Sequence, residues 1–123
     1  LSNTAWAFSN LQVAAAPLLN SISASSLPKL QPFTPQNLSN PAWAWATLGR
    51  CDRPCMDSIA AAAISKITDF ATQNLANTAW SCAALAVPHG PLFNAISAAA
   101  LPKISEASGQ DLTNTAWAFA DLR

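Results

Sequence analysis

Charge is what this chain has least of. Only 10% of its 123 residues are charged, against about a quarter in ordinary globular domains. Six basic side chains balance six acidic ones, which excludes the global positive field of a strong, non-specific nucleic-acid binder. The three glycines make no phosphate-cradling loop. The one histidine, His89, has no serine, cysteine or carboxylate recurring near it at a spacing that builds a nucleophile and base, so no enzyme is expected and no cofactor. Apolar runs such as Ile59 to Ile64 fall far short of the roughly 18 to 20 residues of a membrane span. Three cysteines without regular spacing argue against a secreted disulfide framework and for a reducing compartment. Near Leu1 there is no charged or Arg-rich leader of a signal or transit peptide.

What the chain has is a repeat. Four Asn-x-Ala-Trp tetrads place Trp6, Trp43, Trp80 and Trp117 at steps of 37 without a gap. The same step aligns Leu1, Leu38, Leu75 and Leu112; Asn3, Asn40, Asn77 and Asn114; and Leu11, Leu48, Leu85 and Leu122. Pro17, Pro54 and Pro91 coincide as well, as do Ile22, Ile59 and Ile96, Lys29, Lys66 and Lys103, and Gln36, Gln73 and Gln110. An internal period of this length marks stacked supersecondary units. The expected fold is all-α: an α-solenoid of 37-residue helix-turn-helix repeats, with units at 1–37, 38–74 and 75–111 and one further first helix in 112–123.

Each unit reads as two helices. The first is expected at Pro35 to Leu48, Thr72 to Leu85 and Gly109 to Leu122. Thr34-Pro35-Gln36-Asn37 and Ser108-Gly109-Gln110-Asp111 have the form of N-terminal boxes, a hydroxyl three residues ahead of a polar side chain. Pro41 lies inside this helix in the second unit and predicts a local kink there. Leu38, Ala42 and Trp45 share one face, with Trp43 nearly opposite. Apolar residues on both sides are expected of a helix held between its own partner and the next unit. The second helix starts at Pro17, Pro54 and Pro91. Pro28 and Pro102 end or kink it about eleven residues on, while Ser65 lets the middle copy run through. Leu1 and Leu122 would leave apolar faces bare, which predicts a segment of a longer array, or one covered by a larger assembly.

The pattern Pro-Gln-x-Leu-x-Asn-x-x-Trp-Ala at Pro35 to Ala44, followed by Leu-Gly and a second proline-started helix, together with Leu75 to Trp80 and Leu112 to Ala120, resembles a known group. It is similar to the octotricopeptide and heptatricopeptide repeats, helical-repeat proteins related to the FAST kinase-like group. The resemblance implies a plastid or mitochondrial protein that binds single-stranded RNA and governs processing, stability or translation of transcripts.

Several residues are candidates for that contact, each beside a plainer role. Lys29, Lys66 and Lys103 recur once per unit. With helices stacked about 8–10 Å apart they would form a ladder along a phosphate backbone, or else complement the dipole at the end of the second helix. Asn10, Thr47, Ala84 and Asp121 occupy one variable register of the first helix, where modular readers place base-selecting side chains, and Arg50 and Arg53 add charge in the second loop. Asn3, Asn40, Asn77 and Asn114 suit base recognition, but the favoured role is structural, with each amide bonding a neighbouring unit's backbone. Trp6, Trp43, Trp80 and Trp117 are expected in the core. Cys51, Cys55, Cys82 and His89 lack the tight pairs of a structural zinc site, and Cys82 shares a core register with Phe8, Trp45 and Phe119, so no metal is expected.

The functional expectation is an RNA-binding repeat protein of an organelle. Its rival, favoured by the low charge, is a non-catalytic scaffold or accessory subunit docked into a ribosome or a photosynthetic or respiratory assembly.

Overall fold

A computed structural model describes residues 34–49 and 53–122. These residues form five α-helices and no strand. The helices are α1 (Pro35–Thr47), α2 (Arg53–Lys66), α3 (Thr72–Ala84), α4 (Gly90–Ala100) and α5 (Gly109–Asp121), with short 3₁₀ turns at Ile67–Asp69 and Leu101–Glu106.

Local chemistry sets most of these ends. The Thr34 hydroxyl accepts from the Asn37 amide at 3.2 Å, with Pro35 occupying the first turn of α1. Ser108 and Asp111 form a reciprocal capping box at the start of α5, both bonds 3.1 Å. In α3 only half of that box survives: Asn74 Oδ1 accepts from the Ala71 amide at 3.1 Å, since alanine has no oxygen to return. The two second helices end differently. Ser65 lets α2 reach Lys66, whereas Pro102 stops α4 at Ala100 and the chain tightens into 3₁₀ geometry. The early start of α1 places Pro41 inside the helix, which runs as one element through that residue.

After α1 and α3 the chain turns through a left-handed residue, Gly49 at φ 63° and, one unit on, Ala86 at φ 51°. The second turn is a Schellman motif: Val87 donates to the Cys82 carbonyl at 2.8 Å and Ala86 to that of Ala83 at 2.9 Å.

The first helices α1, α3 and α5 lie side by side as one layer, and α2 and α4 form a second layer against them. Alanine, serine and threonine at the first-helix seam permit the close approach: Ser39, Ala42, Ala76, Thr78, Ala79 and Ser81 are all buried. Their hydroxyls are satisfied within their own helices, Thr78 bonding the Asn74 carbonyl at 2.7 Å and Ser81 that of Asn77 at 2.6 Å. Between the layers lies one core containing Leu38, Trp45, Met56, Ile59, Phe70, Leu75, Leu92 and Ile96. At about 25 cal/mol per Å² of apolar surface removed from water, these side chains are the main source of stability.

Candidate functional site

The side of the first-helix layer away from that core carries the most regular feature of the molecule. Trp43 and Trp80 approach with ring centroids 6.5 Å apart, and Trp80 and Trp117 at 6.4 Å, with the planes tilted by 36° and 38°. Trp43 and Trp80 are half-buried and Trp117 is 44% exposed. The expectation that these indoles are core is therefore corrected. Among the described residues, Trp43 and Trp80 each shield part of the ring on the indole 37 residues on, and all three rings keep part of their surface exposed. The register two residues on, nearly opposite around the helix, behaves oppositely, with Trp45 only 2% exposed.

Beside the indoles runs a polar cleft of about 250 Å³ lined by Asn40, Trp43, Gln73, Asn77, Gln110, Asp111 and Asn114. The amides of Asn40, Asn77 and Asn114 were expected to bond the backbone of neighbouring units. Among the described residues they make no such bond, because the helices beside them already satisfy their own main chain. The cross-unit role falls instead to positions three residues earlier: Asn74 Nδ2 donates to Ser39 Oγ at 3.4 Å, and Asp111 Oδ2 accepts from Thr72 at 3.3 Å. Asn40, Asn77 and Asn114 thus present donors and an acceptor to the cleft. Gln73 and Gln110 were visible in the periodicity, but only the packing shows that they share this cleft.

Of the recurring lysines, Lys103 has its partners within the protein. Lys103 Nζ donates to the carbonyls of Phe70 at 2.7 Å and Thr68 at 3.0 Å, at the end of the preceding second helix. Two of its three donors are thereby committed within the protein. Lys66 is half-buried in the last turn of α2. Lys29 lies outside the described residues, as do Asn3, Trp6, Asn10, Arg50 and Cys51.

Of the variable register, Thr47 is half-buried, its hydroxyl bonding the Trp43 carbonyl of its own helix at 2.9 Å, while Asp121 is exposed. Arg53 is exposed and faces Asp57 at 3.9 Å across one helical turn, a pair of little energetic weight. Cys55 and Cys82 are buried in the core, and His89 is a helix cap whose Nδ1 accepts from the Leu92 amide at 3.2 Å. Among the described residues no three histidine, cysteine or acidic side chains group as metal ligands, and no helix is long and apolar enough to cross a membrane.

In comparisons with known proteins, no family model matches the chain and no curated protein matches it.

Proposed function

We propose that the chain is a stretch of α-solenoid built from 37-residue units, and that its first-helix face holds single-stranded RNA in repeat register. The observation that carries this reading is the cleft in which unbonded amides of Asn40, Asn77 and Asn114 stand beside a ladder of half-exposed indoles. An amide offers the paired donor and acceptor that reads a base edge, and an indole offers a π surface to an unstacked base. One such set per unit is the arrangement of a modular reader. Lys103 is engaged within the protein and the carboxylate of Asp111 borders the cleft. Bases rather than phosphates therefore face it, and the affinity rests less on counterion release than in a basic RNA binder. The resemblance to octotricopeptide and heptatricopeptide repeats supports a role in transcript processing, stability or translation in a plastid or mitochondrion.

The test is titration of the chain with single-stranded RNA homopolymers, followed by tryptophan fluorescence and repeated across salt. Binding is expected with a shallow salt slope. Asn77→Ala and Trp80→Ala should each weaken it by about 1–3 kcal/mol, the range for a lost base contact or stacking platform. Absence of binding to every homopolymer, or binding indifferent to both substitutions, defeats the proposal.

A second reading, a non-catalytic scaffold subunit of a large organelle assembly, is favoured by one observation. The cation expected to meet phosphate is spent on the protein's own carbonyls, leaving a first-helix face of amides and indoles that suits a protein surface equally well.

A further inference from the structure

At the far edge of the helical stack the core opens into an apolar groove of about 410 Å³ between α3, α4, the 3₁₀ turn after it and α5. Its walls include Leu101, Ile104, Leu112 and Phe119. Leu101 is 66% exposed, Ile104 55% and Leu112 43%. We infer that this groove is a docking site for one further helix with the chemistry of this chain's own second helices: two adjacent apolar residues, an isoleucine in the next turn, and a lysine beyond it.

The protein displays the occupied form of the same groove 37 residues earlier. There the counterparts of Leu101, Ile104 and Leu112 are Ile64, Ile67 and Leu75, and Leu75 is 1% exposed. The element that covers them is α4, packed on both α2 and α3 and burying Leu92, Phe93 and Ile96 to 9% exposure or less. Shifted by one period, α2 and α3 become α4 and α5, the two helices that flank the open groove. The vacant shape is therefore the negative of a helix that the molecule already contains.

The lysine supplies the second half of the match. Lys103, on the segment that follows α4, ties down the carbonyls of Thr68 and Phe70. One period later the corresponding carbonyls belong to Ser105 and Ala107, and no hydrogen bond among the described residues reaches them. All three second-helix sequences carry the required elements in one spacing: Leu18, Leu19, Ile22 and Lys29; Cys55, Met56, Ile59 and Lys66; Leu92, Phe93, Ile96 and Lys103. The recurring lysine is, on this account, the staple by which one unit fastens to the last.

The inference rests on the solenoid reading and not on RNA. It is tested with the whole chain and a synthetic peptide carrying the sequence of residues 88–107, labelled for fluorescence anisotropy. Saturable one-to-one binding is expected. Leu112→Glu in the chain should weaken it by about tenfold or more, since it places a charge against a buried leucine or isoleucine. Ile104→Glu, on an exposed turn, should do the same and serves if the first variant loses its helical circular dichroism. Replacing the peptide's lysine by alanine should cost about threefold or more through the lost charged hydrogen bonds. The inference is overturned if the helical chain takes up no peptide, or takes it up equally after both Glu substitutions. It is overturned too by a chain dimer that Leu112→Glu disperses and that excludes the peptide, which would assign the groove to a second copy. RNA binding without peptide binding sinks this inference alone; the converse sinks only the RNA proposal.

Discussion

The ammonium of Lys103 lies 2.7 Å from the carbonyl oxygen of Phe70, joining the end of one second helix to the end of the one before it. Phe70 itself is fully buried, so its backbone is held in a fixed place and offers the lysine a rigid acceptor. The bond joins residues 33 apart in sequence and fastens two units at a point where the chain leaves helical geometry and carbonyls lack intrahelical partners.

Lys103→Met retains the apolar stem and removes the ammonium. The variant is expected to lose about 1.5 kcal/mol of stability in urea unfolding, the low end of the range for hydrogen bonds to charged groups because Lys103 is only half-buried. Its affinity for single-stranded RNA at low salt is expected to stay within about twofold of the parent, whereas a phosphate-contacting lysine would also lower the salt slope by about 1.

The left-handed turns give a pair of opposite expectations. Ala86 holds φ 51° inside a Schellman motif, a conformation that costs an L side chain about 1 kcal/mol and glycine almost nothing. Ala86→Gly should therefore raise the thermal midpoint. Gly49→Ala should lower it by a comparable free energy through backbone strain alone, because a Cβ at Gly49 meets nothing within 4 Å. Differential scanning calorimetry of the two variants reads both signs, and equal signs would contradict the account.

Trp45 is the one described residue with a buried side-chain nitrogen or oxygen that has no hydrogen-bond partner, its indole Nε1. Trp45→Phe removes that orphaned donor along with some apolar area, two effects of opposite sign. The net cost is expected to be below about 1.5 kcal/mol, as for a volume-tolerant core exchange, against about 3–5 kcal/mol for Trp45→Ala. Phenylalanine already occupies this register at Phe119, where it meets Phe93 edge-on at 5.0 Å. Chemical denaturation of both variants measures the contrast.

Much of the helical framework was legible because its causes are local. The first-helix ends fall within one residue of expectation at all three described copies, since Thr34, Ser108 and Asp111 cap the amides beside them in sequence. Pro102 and Ser65 distinguish the two described second helices by the presence or absence of one backbone donor. The inward face of α1 follows from spacing as well, with Leu38, Ala42 and Trp45 all buried.

The site was legible only as a set of recurring positions. Periodicity marked Asn40, Trp43, Asn77, Trp80, Asn114 and Trp117 as special, yet an indole repeated at a fixed register has the same pattern whether it fills a core or forms a surface ladder. The choice depends on what covers the far side of the first helices, and among the described residues Trp43, Trp80 and Trp117 pair there with one another and keep part of each ring exposed. Lys103 poses the same problem, because a lysine at the end of a helix can serve its own dipole, a phosphate or a neighbour's carbonyl. What the sequence by itself determined is the 37-residue period, the bounds of the described first helices and the inward face of α1, the last two governed by contacts within a few residues. The tertiary structure alone decided which repeated side chains face a cleft, which are committed to the protein's own backbone and which edge of the core stays open. Those outcomes depend on where one unit sits against another, over distances that sequence spacing does not encode.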